Sequence, residues 1–252
     1  MVIKMNQYNT TQFEKDLSQF QIQLNENQKK QFLIYFELLN EWNSFMNLTA
    51  ITEYDEVMKK HFVDSVSLVK AYSERNIEVP FIENKISMID IGTGAGFPGI
   101  PLKIVFPNLQ VTLLDSLNKR IKFLNKVIEK LELTHIEAIH GRAEDYAKPG
   151  KLRESYDLCV SRAVANLSTL SEYCLPFVKV GGQFISYKSE KSVEEMKQAE
   201  NAIKLLGGKV NGQIEFMLPD SEIYRNLFII DKVKETPKKF PRKAGTAAKE
   251  PL

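Results

Sequence analysis

The chain has 252 residues, of which 43% are hydrophobic and 26% are charged, a composition typical of a globular protein with an ample core. No apolar run approaches the roughly 20 residues that a membrane-spanning helix needs. The polar N-terminus lacks the apolar segment of a signal peptide. These features exclude a membrane protein, and we expect a cytoplasmic location.

The cysteines and histidines do not indicate a metal site. Cys159 and Cys174 form no CxxC pair, and the three histidines do not combine with them into a ligand spacing. The net charge of +2 conceals a basic tail from Lys232 to Leu252. Seven basic residues there face two acidic ones, so the tail carries +5 and the rest about −3. Such a tail can bind phosphates, although many basic tails are merely solvated.

The first eighty residues show helical periodicity. Apolar residues recur at helical spacing in two stripes, Phe13 to Leu24 and Phe32 to Met46, and a third helix is predicted over Tyr54 to Tyr72. We therefore predict a helical N-terminal extension over residues 1–80. Its aromatic residues are interpreted as core rather than as platforms for stacking bases.

Beyond residue 80 short apolar runs alternate with helical patterns. The predicted strands are Ile86–Ile91, Val111–Leu114, Ile136–His140, Leu158–Val160, Gln183–Tyr187 and Arg225–Lys232. The predicted helices are Pro98–Val105, Lys119–Leu131, Ser168–Leu175 and Glu194–Leu206. This alternation predicts one α/β domain over residues 81–252, a doubly wound, mostly parallel sheet with helices on both faces.

A glycine-rich loop, Gly92-Thr93-Gly94-Ala95-Gly96, follows the first predicted strand. Doubly wound sheets bind nucleotides at that place, and glycines let the backbone approach a ligand closely. The spacing alone is ambiguous, because Gly94-x-Gly96-x-x-Gly99 also fits the dinucleotide fingerprint. An NAD-dependent oxidoreductase is therefore an alternative to a protein that binds S-adenosylmethionine.

Acidic residues near the loop favour S-adenosylmethionine. Asp90 would repel a pyrophosphate but suits the sulfonium and ammonium of S-adenosylmethionine. Asp115 ends the second strand, where a carboxylate can accept both ribose hydroxyls of either cofactor. Glu144 and Asp145 follow the third strand, where an adenine amino group could be recognised, although acids at a helix start are also common.

The turn after the fourth strand, Ser161-Arg162-Ala163-Val164-Ala165, is where the methyl acceptor is expected. It lacks the Asn/Asp-Pro-Pro-aromatic pattern of enzymes that methylate amines. Cys159 lies inside a strand with no preceding proline, which is unlike the nucleophile of cytosine C5 methylation. An acceptor that is already nucleophilic, such as guanine N7, requires positioning rather than a strong base.

The sequence resembles the RsmG (GidB) family of bacterial small-subunit ribosomal RNA guanine-N7 methyltransferases, and the match runs nearly end to end. The most specific strings are DIGTGAGFPGIPL, from Asp90 to Leu102, and FPRKAGTAAKEPL, from Phe240 to Leu252. Shorter matching pieces are Trp42-Asn43, Asn47-Leu48-Thr49-Ala50-Ile51, His61 with Asp64-Ser65, Asp115-Ser116, Lys119-Arg120, Gly141-Arg142-Ala143-Glu144 and Ser161-Arg162-Ala163-Val164-Ala165.

The resemblance implies a Rossmann-like class I methyltransferase fold, S-adenosylmethionine as cofactor, and N7 methylation of guanosine 527 in the 530 loop of 16S ribosomal RNA. The predicted cofactor contacts are Gly92, Gly94, Gly96, Phe97, Asp115, Ala143, Glu144 and Arg162. The chain departs from the family in one place, since it has Lys188-Ser189 where Lys-Gly is common.

Further candidates complete the predicted site. No residue is assigned a certain catalytic role; Arg162, Lys188 and His61 are candidates for positioning the reactants. Arg162 could instead form a structural salt bridge, and His61 with Asp64 could attach the N-terminal helices to the α/β domain. The candidates for contacts to RNA phosphates are Lys119, Arg120, Arg242 and Lys243. We expect a monomer that acts on 16S ribosomal RNA or the small ribosomal subunit; a non-catalytic RNA-binding module is the third alternative.

Overall fold

The computed structural model describes residues 8–162, 165–189 and 193–252. Within them, seven strands form one sheet in the order β3-β2-β1-β4-β5-β7-β6. The strands are β1 (Ser87–Ile91), β2 (Gln110–Asp115), β3 (Ile136–His140), β4 (Tyr156–Ser161), β5 (Val178–Lys188), β6 (Gly208–Met217) and β7 (Tyr224–Lys232). The sheet confirms the predicted Rossmann-like α/β class.

The pairing of the last two strands distinguishes this sheet from that of a dinucleotide-binding domain. Strands β1 to β5 pair in parallel, whereas β7 is antiparallel to both β5 and β6. The dinucleotide-binding fold has the order 3-2-1-4-5-6 in a mostly parallel sheet. Here the last strand of the chain is inserted between β5 and β6, so one edge of the sheet is a hairpin.

Helices cover both faces of the sheet, because alternate residues of each buried strand point to opposite sides. Met88 of β1 packs into one hydrophobic cluster together with α6 (Gly99–Val105) and α7 (Asn118–Lys130). Ile89 packs into a second cluster, which includes residues of α9 (Leu167–Cys174) and α10 (Val193–Leu205). Two short helices complete this part, α8 (Ala143–Tyr146) and α11 (Thr246–Lys249).

The predicted N-terminal helices are present and lie on the first of these faces. They are α1 (Thr11–Ser18), α2 (Glu26–Met46) and a longer segment formed by α3 (Tyr54–Val57), a π-helical turn (Met58–Val63), α4 (Asp64–Val66), a 3-10 turn (Ser67–Val69) and α5 (Lys70–Ser73). Helix α2 begins with a capping box, in which the side chains of Asn25 and Gln28 each accept from the other residue's backbone N–H. It ends at Asn47, whose φ of 51° is left-handed.

The N-terminal extension shares its core with the sheet. Tyr35 of α2 is fully buried, stacks on Phe62 and donates its hydroxyl to the backbone carbonyl of Ala95 in the glycine-rich loop. Phe32 and Phe62 belong to the same cluster as Met88 of the central strand. These contacts connect the N-terminal helices and the sheet through one hydrophobic core. The division of the chain near residue 80 remains a prediction.

Four elements differ from the sequence prediction. Helix α1 ends at Ser18, so the end of the predicted stripe from Phe13 to Leu24 lies beyond it. Strand β6 was not predicted, because nine of its ten residues are half-buried or exposed at the sheet edge and the apolar alternation is weak. Strand β5 begins at Val178 rather than at Gln183, so Gly181 and Gly182 lie inside it. The basic tail, predicted only as a charged segment, folds against the domain and includes α11. Across the described residues, no helix is long and apolar enough to cross a membrane.

Candidate active site

A cavity of about 580 Å³ opens at the carboxyl edge of the parallel strands. Gly92, Ser116, Gly141 and Arg162 line it, and each directly follows the end of a strand, β1, β2, β3 and β4 respectively. That volume is within the range of small-molecule sites, roughly 300–1,000 Å³. Its place is the one where open α/β sheets bind ligands.

The glycine-rich loop forms one wall, and its glycines have different tasks. Gly92, Gly94 and Gly96 all have left-handed φ, at 71°, 62° and 98°. A Cβ on Gly94 would meet only the Gly92 carbonyl, at 4.0 Å, so the space beside it belongs to the cavity. A Cβ on Gly96 would lie 2.6 Å from the Tyr35 hydroxyl. Gly96 is predicted to bind cofactor, but it does not line the cavity; its lack of a side chain lets α2 pack against the loop.

Gly99, the last glycine of the apparent dinucleotide fingerprint, also serves packing. A Cβ there would lie 2.4 Å from Leu113 and 3.0 Å from the carboxylate of Asp90. Two of the three fingerprint glycines, Gly96 and Gly99, are therefore required by contacts with α2 and with strands β1 and β2, and the spacing does not in itself indicate a pyrophosphate site.

Asp115 lies on the cavity wall with its carboxylate held in place. One oxygen accepts from the backbone N–H of Gly94 at 2.9 Å and from Arg120 at 3.0 Å, and the other accepts from the N–H of Leu117 at 2.9 Å. Its side chain is 2% exposed, whereas that of Arg120 is 33% exposed. Because a carboxylate has about four acceptor positions, Asp115 retains capacity for a ligand hydroxyl.

Asp90 has a different role from the one proposed for it. It is fully buried and does not line the cavity, so it does not face the cofactor. One carboxylate oxygen accepts from the Thr93 hydroxyl at 2.7 Å and from the N–H of Gly99 at 2.9 Å. Burial raises the pKa of Asp90 to about 6, against the lowering effect of these two hydrogen bonds. Asp90 therefore fixes the shape of the loop.

Glu144 lines the cavity and contacts the C-terminal tail. Its carboxylate accepts from the backbone N–H of Gly245 at 2.7 Å, and Ala143 beside it also lines the cavity. The tail is held further by the Thr169 hydroxyl, which donates to the Ala247 carbonyl at 3.0 Å. The tail thus orients a residue of the cavity wall.

His61, Phe97 and Arg162 form a stack at the side of the cavity nearest the N-terminal helices. The imidazole of His61 lies 4.6 Å from the Phe97 ring at an angle of 16°, and the guanidinium of Arg162 lies 5.0 Å from the same ring. Arg162 approaches His61 Nδ1 at 3.3 Å. Because arginine only donates, Nδ1 is the acceptor and Nε2 carries the proton.

Burial and the neighbouring Arg162 charge lower the pKa of His61 to about 3, so its imidazole is neutral at pH 7. Asp64 forms an ion pair with Arg162 and holds its guanidinium in place. One Asp64 oxygen accepts from Arg162 at 2.8 Å, and the other accepts from Arg225 of β7 at 2.6 Å. The stack consequently includes the structural salt bridge considered for Arg162, while His61 and Arg162 both line the cavity.

Two residues that were not predicted belong to the site. Thr49 lines the cavity, and its hydroxyl oxygen lies 2.8 Å from His61 Nε2 and accepts from the Ile51 N–H at 3.1 Å. Since both groups donate, the hydroxyl proton of Thr49 is available to a ligand. Exposed Arg142 also lines the cavity. Both residues fall in quoted motif strings, so the signal was present, but their direction toward the cavity depends on the fold.

The remaining candidates lie in different environments. Lys188 does not line the cavity; it donates to the Ala165 carbonyl and to Glu195, both at 2.7 Å. Lys119 is exposed beside the cavity and donates to the Met46 carbonyl at 3.1 Å. Arg120 lines the cavity and pairs with Asp115 through Nη1, and its side chain is 33% exposed.

In the tail, Arg242 and Lys243 are not equivalent. Arg242 forms a bidentate ion pair with Glu172, whose side chain is 1% exposed: Nη2 donates to Oε2 at 2.6 Å and Nε to Oε1 at 3.0 Å. This pair gives Arg242 a structural task, whereas Lys243 is exposed. In the acceptor turn, Ala163 and Val164 lie outside the described residues. Among the described residues, no cluster of His, Cys, Asp and Glu could hold a metal ion.

Comparison with known proteins places the chain in a family. The family profile described as rRNA small subunit methyltransferase G matches residues 28–224. The chain is 55% identical over 240 residues to the ribosomal RNA small subunit methyltransferase G of Lachnoclostridium phytofermentans, covering 95% of this chain and 96% of that protein. It is 52% identical to the protein of the same name from Alkaliphilus metalliredigens, covering 91% and 92%.

A solved structure with the same fold is more distant in sequence. A chain from the complex between the Haloferax volcanii Trm112 methyltransferase activator and a methyltransferase superposes with a TM-score of 0.54 at 13% identity, covering 78% of this chain and 98% of that one. It shows the fold alone. The family match sets aside both the oxidoreductase and the non-catalytic module, and it makes S-adenosylmethionine the cofactor. The chain belongs to the rRNA small subunit methyltransferase G family.

Proposed function

We propose that this protein transfers the methyl group of S-adenosylmethionine to N7 of a guanine in 16S ribosomal RNA, guanosine 527 in the 530 loop. The observation that carries the proposal is a cavity at the carboxyl edge of the sheet whose titratable side chains are arranged to bind and position rather than to remove a proton. Since bacterial ribosomes are cytoplasmic, the proposal includes a cytoplasmic location. We also propose that the protein acts as a monomer.

The donor set of the cavity fits S-adenosylmethionine. Asp115 can accept one of the ribose hydroxyls, and Glu144, with the backbone of Ala143, can recognise the adenine. The open space beside Gly94 leaves room for the amino-acid part against the loop backbone. When bound, the cofactor supplies an electrophilic methyl group on a positively charged sulfur. The protein therefore has to hold an acceptor atom in line with that methyl.

Guanine N7 suits this site because it carries a lone pair and no proton. Methylation forms the N7–carbon bond, breaks the sulfur–carbon bond and moves the positive charge to the guanine, so no base is required. His61, with its pKa of about 3, is a weak base at pH 7. The carboxylate of Asp115 already accepts from three groups, and that of Glu144 accepts from Gly245. Positioning is then the main source of catalysis, which can be large for well-aligned reactants.

Cations lie where the substrate has to approach. Arg142 and Lys119 are exposed at the cavity or beside it, and Lys243 is exposed on the tail that packs against Glu144. Such groups position nucleic acid through its phosphates without reading sequence. A guanine within a structured loop has to leave its stack to enter the cavity, as bases do in other enzymes that modify them.

The test is methyl transfer from labelled S-adenosylmethionine to small ribosomal subunits that lack the modification. We expect label in 16S ribosomal RNA, and cleavage of that RNA after reduction and aniline treatment at guanosine 527. Subunits in which this guanosine is replaced by adenosine are the matched control and should take up no label. Label on an exocyclic amine or on protein, or cleavage at another guanosine, would contradict the proposal.

A further inference from the structure

The aromatic side chain of Phe45 is exposed to solvent near the candidate active site. Phe45, in the last turn of α2, is 66% exposed and is the sole aromatic among the strongly exposed large hydrophobic side chains of the described residues. Isolated apolar side chains on a surface are ordinary and require no explanation. The setting of Phe45, however, is not that of an isolated side chain.

The Phe45 ring packs against Trp42, which in turn contacts a buried ring. The centroid of Phe45 lies 5.6 Å from that of Trp42, one helical turn earlier, at an angle of 43°. Trp42 in turn lies 5.6 Å from Phe123 of α7, which is fully buried. Trp42 is therefore packed against the core, and the exposed Phe45 ring, which we call the platform, packs on Trp42.

The platform is continuous with the rim of the cavity. Helix α2 ends one residue after Phe45, and the chain then turns back so that Leu48 and Thr49 reach the cavity wall. The side chain of Asn43 holds this turn by accepting from the N–H groups of Leu48 and Thr49, at 2.6 and 2.9 Å. Phe45 and the cavity residues Leu48 and Thr49 therefore belong to one segment, which these hydrogen bonds hold in place.

Positive charge and a second apolar side chain lie next to the same segment. Lys119 donates to the carbonyl of Met46, the residue that follows Phe45, at 3.1 Å. Leu117, which is 43% exposed, directly follows cavity residue Ser116. The surface therefore combines an aromatic face with cations at the cavity mouth, and an unpaired nucleotide combines a flat apolar base with an anionic phosphate.

We propose that Phe45 is a stacking platform for an unpaired base that flanks the target guanine in the RNA. Single-stranded RNA is commonly recognised by stacking of its bases on aromatic side chains, with nearby cations holding the phosphates. Removing the target guanine from its stack exposes a face of the neighbouring base, and the Phe45 ring replaces the lost partner while Lys119 contacts the phosphate. The inference rests on the proposed RNA substrate, and it adds a contact that holds the loop open.

The test compares Phe45→Ala, Phe45→Leu and Phe45→Trp with the wild-type protein on unmethylated small subunits. Stacking on a base contributes enough that loss of the ring should weaken binding by at least about fivefold. We expect the Ala and Leu variants to show that increase in the dissociation constant and in KM, and the Trp variant to remain close to wild type. The affinity for S-adenosylmethionine and the melting temperature should not change. Met217→Ala, which replaces another strongly exposed side chain, is the matched control.

Salt dependence separates the two contacts. Phe45→Ala should leave the slope of log affinity against log salt unchanged, whereas Lys119→Ala should reduce it by about 0.7 to 0.9, the value for one phosphate contact. A Leu variant that binds like the wild type would overturn the proposal, because an apolar contact with a ribosomal protein would then suffice. Full activity of the Ala variant would also overturn it. If the wild-type protein itself transfers no methyl group to the subunits, the proposed function fails instead.

Discussion

Replacement of Asp64 by Asn should destabilise the protein because Asp64 is the only described acidic partner of both Arg162 and Arg225. The Asp64 side chain is 3% exposed, and its two arginines are 19% and 15% exposed. Asparagine keeps nearly the same volume, so the change removes charge without opening a cavity. Two largely buried guanidinium groups would then lie close together without their counterion.

Removing one member of a buried ion pair costs about 3–5 kcal/mol. Since both arginines keep some access to solvent, we take the lower end, about 3 kcal/mol. For a protein of this size each kcal/mol lowers the melting temperature by roughly 2–4 °C, so the expected fall is about 6–12 °C. A second replacement, Arg225→Met, should cost less in the Asp64→Asn background than in the wild type, because it removes an unpaired charge.

Thermal and urea unfolding measure both quantities. Asp220→Asn is the matched control, because Asp220 likewise pairs with a cationic side chain, that of Lys15, but the Asp220 and Lys15 side chains are 40% and 61% exposed. Exposed ion pairs contribute little to stability. The reasoning would be refuted if Asp64→Asn lowered the melting temperature no more than the control did, or if the effects of the Asp64 and Arg225 replacements were additive.

Three further expectations concern the cofactor, pH and the tail. Asp115→Asn should raise the dissociation constant for S-adenosylmethionine about 10- to 100-fold in calorimetry, the loss expected for hydrogen bonds to a charged group; an unchanged constant would remove Asp115 from the binding site. Asp90 has a folded-state pKa of about 6 against 3.8 as its reference value, so the folded protein binds the proton more tightly and stability declines as pH rises from about 4 to 6. The Asp90→Asn variant should lack this component, about 2 kcal/mol between pH 4 and pH 6 in urea unfolding, and parallel pH profiles would contradict the assignment. Arg242→Ala should lower the melting temperature because it leaves the buried Glu172 carboxylate unpaired, whereas Lys243→Ala should leave it unchanged and reduce the salt dependence of RNA binding. The reverse pattern would mean that Arg242, not Lys243, is the phosphate contact.

The placement of the site was predictable because it depends on local sequence. The run from Asp90 to Gly96 joins a buried strand to a glycine-rich loop, and all three of its glycines have the left-handed φ that glycine readily adopts. In a parallel sheet such a loop opens at the carboxyl edge, where Asp115 also ends its strand. The motif therefore gave both the fold class and the family correctly.

The tasks of individual charged residues were not predictable in the same way. Arg242 was interpreted as a phosphate contact, but Glu172, its partner, lies 70 residues away in the chain. Asp90 was interpreted as an acid facing the cofactor, yet its side chain points to Gly99 and away from the cavity. Strand β6 escaped prediction because an edge strand buries little of its surface and so shows little apolar alternation.

The sequence by itself determined the α/β class, the glycine-rich loop and the family, because backbone preference and apolar periodicity are local properties that each segment carries alone. Only the tertiary structure decided which side chains line the cavity and which ones hold the lining residues in position. Asp64 meets Arg225 across 161 residues, and Thr49 reaches the cavity only because α2 packs on Gly96. A buried charge adopts the partner that folding brings within reach, and that partner cannot be read from its neighbours in the chain.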